Sequence, residues 1–76
     1  MSLILYSRHD CSLCKKAEAL LAEGGFSKHY ELVNIDDDLA LLEAYGDRIP
    51  VLLNQTTGEK LSWPFTASQV RDLVDG

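Results

Sequence analysis

Residues 3–14 read LILYSRHDCSLC, a short apolar run followed by a polar turn and two cysteines three positions apart. The apolar run, residues 3–6, is typical of a strand buried on both faces of a sheet. The next segment, residues 12–23, carries apolar side chains at helical spacing. We therefore predict a strand, a loop and a helix whose start carries both Cys11 and Cys14.

The position of the cysteine pair at a helix start has a chemical consequence. Side chains three positions apart on a helix lie on one face, about 5–6 Å apart at Cβ, so a disulfide can form and break without unfolding the chain. Cys11 lies where the helix dipole places about half a positive charge, which stabilises a thiolate. We expect Cys11 to be the nucleophile and Cys14 the resolving thiol. Arg8 and Lys15 favour the thiolate, whereas Asp10 opposes it.

Two other interpretations of the cysteines remain open. Free cysteines are often buried as small apolar side chains. A zinc site would need four ligands, and only His9 and His29 are further soft donors. Because His9 lies just two positions before Cys11, it fits a shared tetrahedron poorly. Redox chemistry is the interpretation we favour.

The other segments alternate between strand and helix. Residues 29–35 mix aromatic and β-branched side chains, as a strand does, and residues 39–45 predict a second helix. Two short strands, residues 49–53 and 59–63, flank the polar turn 54–58. A final helix follows them.

The resulting order is βαβαββα, an α/β fold with a four-stranded mixed sheet and helices on both faces. The first two strands should be parallel through a right-handed crossover, and the last two should form an antiparallel hairpin. The acidic triplet 36–38 offers a cap for the second helix, and Thr66 or Ser68 a cap for the last. With 76 residues in all, we expect one domain, residues 1–76.

Composition and charge narrow the class of protein. The net charge of −5 disfavours nucleic acid and anionic membranes as partners. Residues 1–6 have no basic region, and their apolar run is too short for a signal peptide or a membrane span. We therefore expect a cytoplasmic protein, and a monomer.

The strand–C-x-x-C–helix start, joined to the segment 49–52 (IPVL) after the second helix, resembles the glutaredoxin branch of the thioredoxin superfamily, in particular its short bacterial members. The resemblance covers essentially the whole chain and implies a thioredoxin fold with thiol–disulfide oxidoreductase activity. It further implies that the Ile49–Pro50 bond is cis and that Pro50 lies against both cysteines. It also implies that the Ile49 backbone is free to pair with an extended substrate.

Two departures from the family pattern concern glutathione. Ser12 and Leu13 replace the proline and tyrosine that glutaredoxins carry between the cysteines. Residues 62–65, SWPF, occupy the place of the Gly-Gly-acidic segment that receives glutathione. We therefore expect no resident cofactor and keep glutathione as a candidate co-substrate only. Phe65 is assigned to the core, and Trp63 either to the core or to the wall of a groove beside the cysteines.

The sequence thus predicts a dithiol oxidoreductase that acts on protein or low-molecular-weight disulfides and is served by a reductase or a small-thiol donor. Besides the two cysteines, the expected substrate contacts are Arg8, Leu13, Ile49, Pro50 and Trp63. Two alternatives stay open: a metal or iron–sulfur carrier, and a non-enzymatic docking module whose thiols are incidental.

Overall fold

A computed structural model describes residues 3–75. The elements are β1 Leu3–Ser7, α1 Ser12–Glu23, β2 Tyr30–Asn34, a 3₁₀ turn Ile35–Asp37, α2 Leu39–Tyr45, β3 Val51–Asn54, β4 Lys60–Ser62 and α3 Ala67–Asp75. The predicted order βαβαββα is confirmed. The expected domain 1–76 also includes Met1, Ser2 and Gly76, which lie outside the described residues. No helix within residues 3–75 has the length and apolar character needed to cross a bilayer.

The four strands form one mixed sheet in the order β2-β1-β3-β4. β1 pairs with β2 in parallel and with β3 antiparallel, and β3 pairs antiparallel with β4. β1 is therefore a central strand, and all five of its residues are buried. This position explains its continuous apolar run, because a strand covered on both faces has no solvent side.

Alternate residues of β1 enter two separate hydrophobic clusters, one on each face of the sheet. Leu3 and Leu5 pack with α1 and α3, and Ile4 and Tyr6 pack with the 3₁₀ turn and α2. Phe65 belongs to the first cluster and is 4% exposed, which confirms its assignment to the core. The helices thus cover both faces, as predicted.

Local side-chain hydrogen bonds begin the helices. Asp38 caps α2, with its Oδ1 accepting a hydrogen bond from the N–H of Ala40 at 2.9 Å. Thr66, rather than Ser68, caps α3, because its Oγ1 accepts from the Gln69 N–H at 3.2 Å. Gln69 Oε1 in turn accepts from the Thr66 N–H at 2.8 Å, which completes a reciprocal capping pair.

The third strand differs from its predicted range, residues 49–53. It starts at Val51 and ends at Asn54, which was assigned to the polar turn. Asn54 is only 3% exposed, and its Nδ2 donates a hydrogen bond to the Leu73 carbonyl of α3 at 2.8 Å. Its Oδ1 accepts from the Thr56 N–H at 2.9 Å. Burial of this amide is tolerated because both of its polar ends are paired.

Candidate functional site

The two cysteines lie at the start of α1, just beyond the end of β1. Asp10 turns the chain there with a φ of +56°, a left-handed conformation that Asp adopts more readily than most residues. Cys11 is the N-cap of α1, and its Sγ accepts a hydrogen bond from the Cys14 N–H at 3.1 Å. The local sequence therefore places the first sulfur at the positive end of the helix, as predicted.

Cys11 and Cys14 are joined as a disulfide, with their Cα atoms 5.2 Å apart. Cys11 is half-buried, whereas Cys14 is only 2% exposed and packs inside the fold. The first sulfur is thus the one that an outside reactant reaches more easily. Among residues 3–75 there is no unpaired cysteine.

The segment around Pro50 leads into β3, the antiparallel neighbour of β1, and approaches the end of β1 from which the cysteine loop departs. Tyr6 pairs with Val51, so Pro50 comes level with the end of β1, where the cysteine loop departs. Pro50 is buried, and its carbonyl accepts a hydrogen bond from the Trp63 N–H at 3.1 Å. The peptide bonds before Pro50 and Pro64 are both cis. Contact between Pro50 and the cysteines stays a prediction.

The expectation that the Ile49 backbone is free is wrong for its N–H group. That group donates to the Tyr45 carbonyl at 3.2 Å, which ties Ile49 to the end of α2. None of residues 3–75 donates a backbone hydrogen bond to the Ile49 carbonyl. An extended substrate would therefore find an acceptor here, but no donor.

The two other apolar residues expected at the site differ in burial. Trp63 is half-buried, packs against the α1–α3 cluster and meets the ring of Phe65 edge-on, with centroids 5.1 Å apart. Leu13, between the cysteines, is 43% exposed. Trp63 thus packs at the margin of the core, its place beside the cysteines stays a prediction, and Leu13 presents apolar surface to solvent. We call segments 49–51 and 63–65 together the β3 wall.

A cavity of about 390 Å³ lies beside the cysteines on the opposite side, between α1 and β2. We call it the β2 groove. Its lining consists of both cysteines and eight further residues: Ser7, Arg8, His9, Asp10, Lys15, Glu18, Leu32 and Asn34. Since β2 and β3 flank β1 on opposite sides, the cysteine pair lies between the β2 groove and the β3 wall.

Only part of the predicted site lines the β2 groove. Arg8 joins the two cysteines around the β2 groove, whereas Leu13, Ile49, Pro50 and Trp63 are not part of its lining. Sequence reasoning missed Glu18 and Leu32 as groove residues. Glu18 lies four positions after Cys14, on the same helix face, a spacing that was available as a signal.

Arg8, a residue of the groove lining, forms an ion pair with a residue outside it. Arg8 Nε lies 2.8 Å from Asp36 Oδ1 and links the loop before Cys11 to the 3₁₀ turn after β2. The side chains are 42% and 34% exposed, so the pair contributes at most about 1 kcal/mol to folding. Part of the positive charge expected to favour the thiolate is thus shared with Asp36.

Glu18 acts on a tyrosine of the neighbouring strand. Burial raises the pKa of Tyr30, and the Glu18 carboxylate raises it further. A separate tyrosine lies on the α2 face, where burial and then Tyr45 raise the pKa of Tyr6, while Lys60 lowers it. The carboxylate of Glu18 is thus close enough to β2 to influence Tyr30.

Metal binding would need several donors in one place. Within the part of the chain that the structure describes, no three His, Cys, Asp or Glu side chains group closely enough to hold a metal ion. His9 lines the β2 groove, whereas His29 is exposed just before β2. An absorption spectrum of the purified protein tests whether two chains share a metal ion or a cluster.

Comparison with known structures identifies close relatives of this fold. The X-ray structure of Northeast Structural Genomics target protein XcR50 from X. campestris is 45% identical to this chain, with 96% of this chain and 95% of that one covered and a TM-score of 0.83. Protein Ne2328 from Nitrosomonas europaea is 26% identical, with 97% and 86% covered and a TM-score of 0.68.

A more distant structure defines the fold class. Thioredoxin 1 from the thermophilic eubacterium Thermosipho africanus is 13% identical, with 99% of this chain and 91% of that one covered and a TM-score of 0.64, which shows a shared fold alone. No curated protein matches the chain. The family model described as Glutaredoxin-like domain (DUF836) matches residues 2–75. The chain therefore belongs to the glutaredoxin-like domain family and shares its fold with thioredoxin 1.

Proposed function

We propose that the protein is a thiol–disulfide oxidoreductase in which Cys11 attacks the substrate and Cys14 resolves the mixed disulfide. The fold and the bonded cysteine pair support a redox function. The observation that carries the finer assignment is the contrast between a half-buried Cys11 at the helix N-cap and a buried Cys14 one turn on. Their Cα separation lies within the range that a disulfide spans.

The reaction starts from the reduced protein. The Cys11 thiolate attacks one sulfur of a substrate disulfide, the substrate S–S bond breaks, and the departing thiolate takes up a proton. The Cys14 thiolate then attacks the Cys11 sulfur and releases the second substrate thiol. Two electrons pass from the protein dithiol to the substrate, and the Cys11–Cys14 disulfide results.

The helix start supplies the activation that this attack needs. The Cys14 N–H that donates to Cys11 Sγ in the disulfide form is also a donor for the thiolate of the reduced form. Together with the helix dipole, it favours the thiolate of the reduced Cys11. The buried Cys14 lacks this help and reacts only after the mixed disulfide has formed.

The substrates proposed for this reaction are protein disulfides or low-molecular-weight disulfides. A reductase or a small-thiol donor would return the pair to its dithiol form, and glutathione is one candidate. We propose a cytoplasmic setting, where thiol donors keep such pairs reduced. No resident cofactor takes part.

A glutathione-buffered titration combined with mass spectrometry tests the proposal. We expect the wild-type protein to accept two electrons reversibly, and Cys11→Ser to lose all exchange. The matched variant Cys14→Ser should stop at a mixed disulfide, with its mass raised by one substrate half. Failure of the reduced wild type to exchange with any protein or glutathione disulfide would overturn the assignment. A coloured, cluster-containing protein after anaerobic purification would instead support the carrier function.

A further inference from the structure

The β2 groove is a cavity whose wall includes the reactive sulfurs and charges of both signs. Its volume of about 390 Å³ falls in the range of small-molecule sites. It opens on the opposite side of β1 from Pro50, where the family resemblance had placed substrate contacts. A molecule seated in it lies directly beside Cys11.

The charges of the groove are arranged along α1. Lys15 lies next to Cys14, and Glu18 lies one turn further along the helix, near Tyr30. At the loop end, Arg8 and Asp10 add one charge of each sign. The groove is therefore electrically balanced in a chain whose net charge is −5.

This balance selects against ligands of one sign. A purely anionic molecule meets Glu18 and Asp10, and a purely cationic one meets Lys15 and Arg8. A zwitterion satisfies both kinds of group at once. Arg8 contacts Asp36 through Nε, so its terminal nitrogens still carry donors for a carboxylate.

Leu32 supplies apolar surface to the β2 groove. Leu32 lies in the middle of the outer strand β2, is 50% exposed and lines the groove. The methylene groups of a disulfide ligand bound in the groove would cover this side chain. The groove thus gives a reason for an exposed leucine on the edge strand β2.

We propose that the β2 groove binds one half of a low-molecular-weight disulfide that carries both a carboxylate and an ammonium group. Lys15 binds the carboxylate and Glu18 the ammonium, which leaves the substrate sulfur facing Cys11. This inference rests on the proposed function. One such disulfide and the protein dithiol give two free thiols and the Cys11–Cys14 disulfide, so no further oxidant or reductant is needed for a single turnover.

The test measures single-turnover oxidation of the pre-reduced protein by four probe disulfides. Cystine carries both charges, cystamine only ammonium groups, dithiodipropionate only carboxylates, and hydroxyethyl disulfide none. Each rate constant is divided by that of the same probe with dithiothreitol, which removes intrinsic reactivity. The ratio of each charged probe to the neutral one then reports docking, because a change in Cys11 reactivity affects all probes alike.

We expect the wild type to prefer cystine over the three other probes. Glu18→Gln should lower the cystine and cystamine ratios about 2- to 5-fold and spare dithiodipropionate, as befits one partly exposed charge pair. Lys15→Gln should lower the cystine and dithiodipropionate ratios by a similar factor and spare cystamine. Lys16→Gln and Glu23→Gln, exposed residues of the same helix outside the groove lining, are the matched controls and should change no ratio.

Each outcome decides between the two proposals. Equal normalised rates for all four probes, or equal effects of the groove and control variants, would overturn the groove assignment and leave the oxidoreductase standing. Absence of reaction with every probe and with protein disulfides would count against the oxidoreductase itself. Preference for cystamine or dithiodipropionate, whose charges are all of one sign, would also contradict the zwitterion assignment.

Discussion

The β3 wall and the β2 groove flank the same cysteine pair, yet they are built in opposite ways. In the β3 wall, the N–H groups of Ile49 and Trp63 bond to carbonyls of the fold, and Phe65 is buried in the core. In the β2 groove, a half-exposed Leu32 and charged side chains face an open cavity.

The difference teaches that stability and reactivity lie on separate sides of the cysteines. Side chains and backbone groups of the wall are committed to partners within the chain, so changes there cost folding energy. Leu32 and Lys15 of the groove have solvent as their main neighbour, so truncating these side chains should leave the fold intact and act on the reactant. Substitutions in the β3 wall should therefore change the free energy of unfolding, whereas substitutions of the exposed groove side chains should change the rate of thiol–disulfide exchange.

The largest difference should appear in the stability of matched truncations. Phe65→Ala removes a ring that is 4% exposed in the core and should lower the free energy of unfolding by about 3–5 kcal/mol. Leu32→Ala, at a side chain that is 50% exposed, should cost less than about 1 kcal/mol. Urea unfolding of the reduced proteins measures both. Equal losses would show that the groove is as tightly packed as the wall.

An intermediate effect is expected at Asp10, which turns the chain into the groove with a φ of +56°. Asp10→Ala should lower the free energy of unfolding by about 1 kcal/mol, since alanine disfavours this conformation. Asp10→Asn keeps a residue that tolerates it and should leave stability unchanged. Because it removes a negative charge beside Cys11, it should also speed thiol exchange at neutral pH. Thermal unfolding and alkylation rates separate the two effects, and equal destabilisation by both variants would contradict the backbone argument.

The smallest effect concerns one tyrosine on each side. Burial raises the pKa of Tyr30 beside the groove and of Tyr6 behind the wall, with further contributions from Glu18 and Tyr45 respectively. Glu18→Gln should lower the pKa of Tyr30 and leave that of Tyr6 unchanged. Tyr45→Phe should lower the pKa of Tyr6 and leave that of Tyr30 unchanged. Ultraviolet titration of tyrosine absorbance, with single-tyrosine reference variants, measures both shifts.

The same shifts have a consequence for stability against pH. The folded-state pKa of each tyrosine lies above the ordinary value of 10.0, so folding favours the neutral hydroxyl. This contribution is complete below that value and is lost as the pH rises through the folded-state pKa. We therefore expect stability to fall only above about pH 10 through Tyr6 and Tyr30. A loss centred near neutral pH would point to other groups.

Much of the fold was accessible from local sequence signals. The helix predicted for residues 12–23 has the same bounds in the structure, Ser12–Glu23, because its apolar stripe and the following Gly24-Gly25 act within a few residues of one another. The position of Cys11 at the start of this helix could be predicted for the same reason. Burial of β1 on both faces also followed from its own run of side chains.

What the sequence left undecided depends on residues that are distant along the chain. Burial of Asn54 requires the Leu73 carbonyl of α3, and the ion pair of Arg8 requires Asp36, beyond β2. Occupation of the Ile49 N–H by the Tyr45 carbonyl depends on how α2 ends against the next strand.

The C-x-x-C pair by itself determined where the reactive sulfurs lie, since a helix start and a three-residue spacing are local properties. Only the tertiary structure decided what surrounds those sulfurs. The strand order β2-β1-β3-β4 puts Leu32 and Glu18 on one side and Pro50 on the other. Strand order is set by the packing of the whole sheet between its helices, so no single stretch of this sequence contains it.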